Sequence, residues 1–114
     1  MKVTKFEDIL VWQKSRILSF EVYSCFKNSK DFSFRDQIQR AVISISNNIA
    51  EGYERQSNKE FSKFLYISKG SCAEVRSMLY TALDLQYISK ENFDRLYGSC
   101  NEISRMLSGF IKTL

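Results

Sequence analysis

At 114 residues, 44% of them apolar and 26% charged, the chain has the balance of a single globular domain with one modest core. It has no proline and only four glycines, which excludes turn-rich sandwiches and barrels and leaves a few long elements with short joints. A net charge of +4 permits contact with nucleic acid but lacks the dense basic stripe of a dedicated binder, and no apolar run reaches membrane-spanning length. The start, Met1 to Asp8, has no long apolar run behind its basic residues and is read as no signal peptide. Cys25, Cys72 and Cys100 are widely spaced and odd in number, so free buried thiols in a reducing cytoplasm are expected, not a disulfide framework.

The first helix is expected from about Lys5 to about Lys27, with Asp8 near its positive end and Lys27 near its negative end. Its apolar residues do not form one stripe. Phe6, Leu10 and Ile17 share one face, Val11, Leu18, Val22 and Phe26 a neighbouring one, and Trp12 and Tyr23 lie farther round. A helix apolar over most of its circumference is buried on more than one side. In so small a domain the second side is read either as another subunit or as a wide core face with a few exposed aromatics.

A polar loop, Asn28 to Phe32, leads to the second helix, expected over 33–53. Ser33-Phe34-Arg35-Asp36 fits a capping box. The core face runs Phe34, Ile38, Ala41, Val42, Ile45, Ile49 and Tyr53. Beside it lies a polar stripe, Gln37, Arg40, Ser44, Asn47 with Asn48, and Glu51, at steps of three and four. Gly52 stands where a helix slows or ends. Ser57-Asn58-Lys59-Glu60 is a second capping box and opens a third helix over 57–86, with core residues Phe61, Phe64, Leu65, Ser68, Cys72, Val75, Leu79, Ala82 and Leu83. A mid-helix glycine costs about 1 kcal/mol against alanine, so Gly70-Ser71-Cys72-Ala73 predicts close approach of a neighbouring helix. Ser89 caps a fourth helix over 89–113. It carries Phe93, Leu96, Tyr97, Cys100, Ile103, Leu107, Phe110, Ile111 and Leu114 on one face, with Lys90, Asp94, Arg95, Glu102, Arg105 and Lys112 outside it. The fold expected over 1–114 is therefore all-α, an up-down-up-down antiparallel four-helix bundle in one domain.

Catalytic chemistry finds few of its usual groups. The chain contains no histidine, which removes the usual general base, metal ligand and activator of a Cys or Ser nucleophile. Single cysteines on core faces lack zinc-site spacing, and Gly52 and Gly70 are too isolated for a phosphate loop. No enzyme, cofactor, metal or small-molecule substrate is expected. A base-stacking surface would interleave aromatic and basic residues. The candidates for RNA or DNA contact are Arg55, Lys59, Lys63 and Lys69 around Tyr53 and Tyr66, and a solvated helix face is the preferred reading. For the polar stripe, the preferred reading is a network in which Arg40, Asn47, Asn48 and Glu51 satisfy one another and Glu74, fixing helix register or subunit orientation. The alternative is the lining of a cleft or pore.

The run from Gln37 to Gly52, QIQRAVISISNNIAEG, resembles the signature of the bacterial four helix bundle protein family, roughly Q-I-R-R-A-x-x-S-I-P-S-N-I-A-E-G. These proteins are encoded in intervening sequences of large-subunit ribosomal RNA genes and are sometimes labelled a ribosomal-protein family. Phe6 to Lys14 resembles the family's usual start, and Lys59 to Ser71 with Glu74 its third-helix pattern. The resemblance spans nearly the whole chain. It implies a ring-like homo-oligomer, commonly a pentamer, and a related branch of accessory proteins of diversity-generating retroelements that bind nucleic acid and a reverse transcriptase. Those relatives are strongly basic, so at +4 this chain is placed in the first branch. Ser46 stands where the family usually has proline, Asn47 where it has serine, and Gln39 where it has arginine. Absence of the proline predicts a straighter second helix, or a kink left to neighbouring side chains, and absence of the arginine argues against strong nucleic-acid binding through that face. The function expected is a non-enzymatic, homo-oligomeric cytoplasmic scaffold. The alternative is an accessory protein that binds RNA or DNA weakly through basic helix faces.

Overall fold

Helix starts leave backbone N–H groups without intrahelical partners, and most starts in this chain supply a side-chain oxygen. In the computed structural model, which describes residues 3–114, four helices follow a short 3-10 turn at Phe6–Asp8. They are α1 (Leu10–Phe26), α2 (Phe32–Tyr53), α3 (Asn58–Asp84) and α4 (Lys90–Lys112). Met1 and Lys2, the first residues of the start read above as no signal peptide, lie outside the described residues. Ser57 accepts from the Glu60 N–H at 3.1 Å, and Ser89 from the Asn92 N–H at 3.1 Å, at two of the three starts where serine caps were expected.

The other two starts differ from expectation. The cap of α2 is Asp31, not Ser33: its Oδ1 accepts from the Phe34 N–H at 3.1 Å while its Oδ2 accepts from the Tyr87 hydroxyl at 2.8 Å. A tertiary partner thus favours the carboxylate over the hydroxyl two residues on. The first helix starts at Leu10, not Lys5. Ile9 is extended (φ −75°, ψ 118°), and the turn before it is tied by Gln13 Nε2 donating to the Glu7 carbonyl at 2.9 Å. That break lets Ile9 enter the core and Phe6 pack edge-on against Trp12 with ring centroids 5.2 Å apart. Asp8 therefore lies outside the first turn of α1.

The end of α3 also has a local cause. Gln86 has φ 61°, its N–H donates to the Leu83 carbonyl and the Tyr87 N–H to the Ala82 carbonyl. This is the two-bond helix stop usually made with glycine in the left-handed position.

Each helix packs on two neighbours, α1 on α2 and α4, and α3 on α2 and α4, with α2 and α3 packed most extensively. The diagonal pairs α1–α3 and α2–α4 stand farther apart, with no Cα–Cα approach within 8 Å among the described residues. Short joints make consecutive helices antiparallel. Accordingly Phe26 meets Phe34 at one end of the α1–α2 pair, and the Tyr53 hydroxyl donates to the Val3 carbonyl at the other. The long dimension of 43 Å matches the roughly 40 Å of a 27-residue helix. One core runs through the bundle, with Leu18, Val22 and Phe26 from α1, Ile38, Ile45 and Ile49 from α2, Leu65, Val75 and Leu79 from α3, and Leu96, Ile103 and Leu107 from α4.

Serines at core positions keep their hydroxyls satisfied by backbone. Ser68 donates to the Ile45 carbonyl at 2.8 Å and Ser19 to the Val42 carbonyl at 3.3 Å, joining α3 and α1 to α2. Ser46 is buried, donates to the Ile43 carbonyl, and α2 runs unbroken through it.

Gly52 lies in the last turn of α2, which ends at Tyr53 as its position suggested, but it is also buried there, and a Cβ would stand 2.5 Å from Phe64 Cβ. Gly70 was expected at a close helix approach, yet a Cβ there meets nothing within 4 Å. The approach in that part of α3 is made instead by Ser68 and Ser71, which face α2.

Candidate functional site

The polar stripe of α2 runs along its seam with α3. Asn48 Nδ2 donates to the Ser44 carbonyl at 2.8 Å and to Ser44 Oγ at 2.9 Å, and Ser71 of α3 donates to that same oxygen at 2.9 Å. Gln37 Nε2 reaches Glu74 Oε2 at 3.5 Å at one end of the seam, and Glu51 pairs with Arg55 at 3.1 Å at the other. Arg40 and Asn47 do not join this line. Both are exposed on the outward side of α2 and, among the described residues, make no side-chain hydrogen bond or ion pair. So the seam holds Ser44, Asn48 and Ser71 together, places Glu51 and Glu74 near opposite ends, and leaves Arg40 and Asn47 facing solvent. Nothing in it combines a base, a nucleophile and a proton path. Glu51 on α2 and Glu74 on α3 are both exposed carboxylates, set apart along the seam.

The basic candidates are scattered in a similar way. Arg55 is occupied twice, by Glu51 and by the face of Phe64, with its guanidinium carbon 4.8 Å from the ring centroid. Lys59 and Lys63 are exposed one turn apart on α3. Lys69 lies farther along, where it lines a depression of about 280 Å³ with Tyr66, Ser108, Ile111 and Lys112. Lys112 and that groove were not among the expected contacts, because the two lysines come from different helices and only the α3–α4 packing brings them together.

The cleft between α1 and α4 holds about 100 Å³, against roughly 300–1,000 Å³ for small-molecule sites. Two shallow depressions at the joints are larger, about 390 Å³ beside Asp31 and Tyr87 and about 490 Å³ along Glu54 to Glu60. The charges at the rim of the α1–α4 cleft are paired, Lys14 with Glu102 at 2.9 Å and Glu21 with Arg95. Lys14 holds the Glu102 carboxyl below its ordinary pKa by a hydrogen bond and by its charge. Among the described residues no group of three or more Cys, Asp and Glu side chains is placed to hold a metal ion, and no helix is long and apolar enough to cross a membrane. Cys72 and Cys100 are buried and free, with Cys72 Sγ donating to the Cys100 carbonyl at 3.2 Å. The hydrogen bond with Cys72 and burial push the Cys100 thiol far above its ordinary range, which keeps it protonated and inert.

The most unusual surface is the outward side of α1. Val11, Leu18, Val22 and Phe26 are the face that enters the core. Leu10, Ile17 and Phe20 stand on the opposite side, 57%, 60% and 74% exposed, with Tyr23 beside them. Phe6, grouped with Leu10 and Ile17 by helical spacing, is drawn away onto Trp12 because the chain breaks helix at Ile9. Phe20 takes its place in the exposed row. Its position on the wheel opposite Val22 was available in the sequence, but only the choice of core face shows which side is left outside.

A model of the 23S rRNA-intervening sequence protein family matches residues 7–109. Among solved structures, the chain is similar to a protein of unknown function from the S23 ribosomal protein family of Bacteroides thetaiotaomicron. The two are 27% identical, the alignment covers 90% of this chain and 99% of that one, and the TM-score is 0.85. No match is found among curated proteins.

Proposed function

The chain belongs to the 23S rRNA-intervening sequence protein family, and from that premise we propose that it is a non-enzymatic cytoplasmic homo-oligomer, a scaffold or interaction module. The observation that carries this reading is the row Leu10, Ile17 and Phe20, exposed on α1 opposite its core face. A monomer gains nothing from a second apolar face on one helix, whereas burying each such side chain against another subunit is worth roughly 1.5–3 kcal/mol. The ring form, with five copies as the family resemblance implies, is part of the proposal. The seam of Ser44, Asn48 and Ser71 then serves register within each subunit, holding α2 and α3 so that α1 is presented in one orientation. The absence of histidine from the sequence supports a role without acid–base catalysis. Sedimentation at micromolar concentration tests the reading. A multiple of the 13.4 kDa chain mass is expected, and a monomer overturns it.

A second reading has a specific observation in its favour. Lys69 and Lys112 flank the exposed Tyr66 in one groove, with Lys63 near it along α3. This arrangement suits weak contact with RNA or DNA by stacking and phosphate neutralisation. Affinity for structured RNA or duplex DNA that falls steeply with added salt would support it. No binding at low salt would end it.

A further inference from the structure

The exposed row of α1 needs a receiving surface, and we propose that it is the outward face of α3 in a second copy of this chain, met in parallel and in register. This rests on the assembly proposed above and names the two faces that form it. α1 and α3 sit diagonally, with no Cα of one within 8 Å of a Cα of the other among the described residues, so their outward faces lie on different sides of the bundle. A contact between two different faces lets each copy give one and receive one. Such a contact closes into a ring when each copy is rotated from the last by a whole fraction of a turn with no step along the axis.

Charge chooses the partner and its direction. With the two helices parallel, the exposed Glu7 and Asp8 before α1 come beside Lys59 and Lys63 at the start of α3, and Lys27 at the end of α1 comes beside Asp84. Run antiparallel, the same contact would set Glu7 and Asp8 against Asp84, and Lys27 against the two lysines. Midway, Arg16 lies on the flank of α1 turned toward α2, the side from which Ser19 bonds Val42. Glu74 lies on the matching flank of α3, where it meets Gln37 of α2. In a ring those flanks fall on the same side, so Arg16 faces Glu74.

Register follows by reading heights off α4. Lys14 pairs with Glu102 and Glu21 with Arg95 on one side of it, and Cys72 bonds Cys100 and Arg76 bonds Asn101 on the other. Through the Cys72 bond Ile17 stands level with Ala73 and Leu10 with Tyr66, and through the longer Arg76 side chain about a turn farther along α3, which sets Phe20 beside the stretch that holds Ser77. A closed ring without axial step brings level residues together. At those heights the α3 face is low, with Gly70, Ala73 and Ser77 exposed between Tyr66 and Tyr80. A row of large side chains thus meets a shallow strip with aromatic ends, the ridge-into-groove fit of packed helices.

Disulfide trapping tests the pairing. In a Cys25→Ser background, the double variant Ile17→Cys with Ala73→Cys is mixed with oxidised glutathione and run on a non-reducing gel. The two positions lie on opposite sides of one chain, so they bridge only between copies. The expected result is a ladder that ends at the subunit number of the assembly, with either single variant uncross-linked. Dimers from Ile17→Cys alone would mean that α1 meets α1, and would overturn the pairing while leaving the assembly intact. An assembled double variant that does not cross-link also overturns it. A monomer in sedimentation sinks the assembly itself. Charge exchange gives a second arm: Arg16→Glu should weaken assembly about tenfold or more, and adding Glu74→Arg should restore it. Failure of the second change to restore assembly counts against the pairing.

Discussion

α1 and α4 are neighbours that bury apolar faces against the same core, yet their outer sides differ in kind. Outside α4 stand Lys90, Asp94, Arg95, Glu102 and Arg105, several of them paired within the helix or across to α1. Outside α1 stand Leu10, Ile17 and Phe20. A bundle needs one apolar stripe per helix to fold, and α4 carries that much and no more. The extra stripe on α1 contributes little to the isolated chain, so its purpose must be sought beyond the fold. The contrast separates residues that hold the bundle from residues that offer it to something else.

Adjacent positions on α1 give the largest test of that contrast. Leu18 is 1% exposed and Ile17 is 60% exposed. Leu18→Ala should cost about 2–5 kcal/mol in urea unfolding. Ile17→Asp should change chain stability, measured under dilute conditions, by no more than about 0.5 kcal/mol, while lowering the mass seen in sedimentation. Unfolding by Ile17→Asp would break the comparison, because the outer row would then belong to the fold.

Glycines sharpen it at a smaller scale. Gly52→Ala drives a methyl into Phe64 and should destabilise the bundle by about 1–3 kcal/mol. Gly98→Ala on the outside of α4 meets nothing within 4 Å and should raise stability by up to about 1 kcal/mol in thermal melts. At the stop of α3, Gln86→Gly should also gain up to about 1 kcal/mol by relieving the left-handed strain at φ 61°, less the larger freedom glycine has when unfolded. A loss at Gln86→Gly would mean that the glutamine side chain matters there.

The smallest effect concerns acid. The Tyr87 hydroxyl and then the Phe34 N–H hold the Asp31 carboxyl below its ordinary pKa. A carboxyl depressed in the folded state stabilises it above the unfolded pKa, and that help is lost as pH falls through the folded pKa. Tyr87→Phe should therefore narrow the window and make the fall in melting temperature with acid shallower, by a small amount because the pair is solvent-accessible. An unchanged acid limb would show that the cap of α2 does not depend on this bond.

Much of the bundle was legible because helices write their burial at a period of 3.6. The core rows of α2, α3 and α4 follow from that spacing, and Ser57 and Ser89 follow from the way a hydroxyl satisfies a free N–H. Asp31 and Ser33 were both chemically able to cap α2, and a hydroxyl from a loop 56 residues away separated them. The residues of the α2 stripe were placed on one side by spacing alone. Which of them meet α3 was not legible, since a rotation of the helix by about 40–60° exchanges Ser44 for Arg40 or Asn47 at the seam. Gly70 was misread and the crowding at Gly52 was not foreseen for the same reason, as the space around a backbone atom belongs to its neighbour.

By itself, then, the sequence determined the class of fold, the helix order, the core rows and the presence of a second apolar face on α1, because each depends on residues near one another in the chain. The tertiary structure decided which α1 face is core and which is offered, where Gly52 is crowded and Gly70 open, and how Lys69 and Lys112 meet. Those outcomes depend on how each helix is rotated about its axis, and that rotation is set by packing against helices distant in sequence.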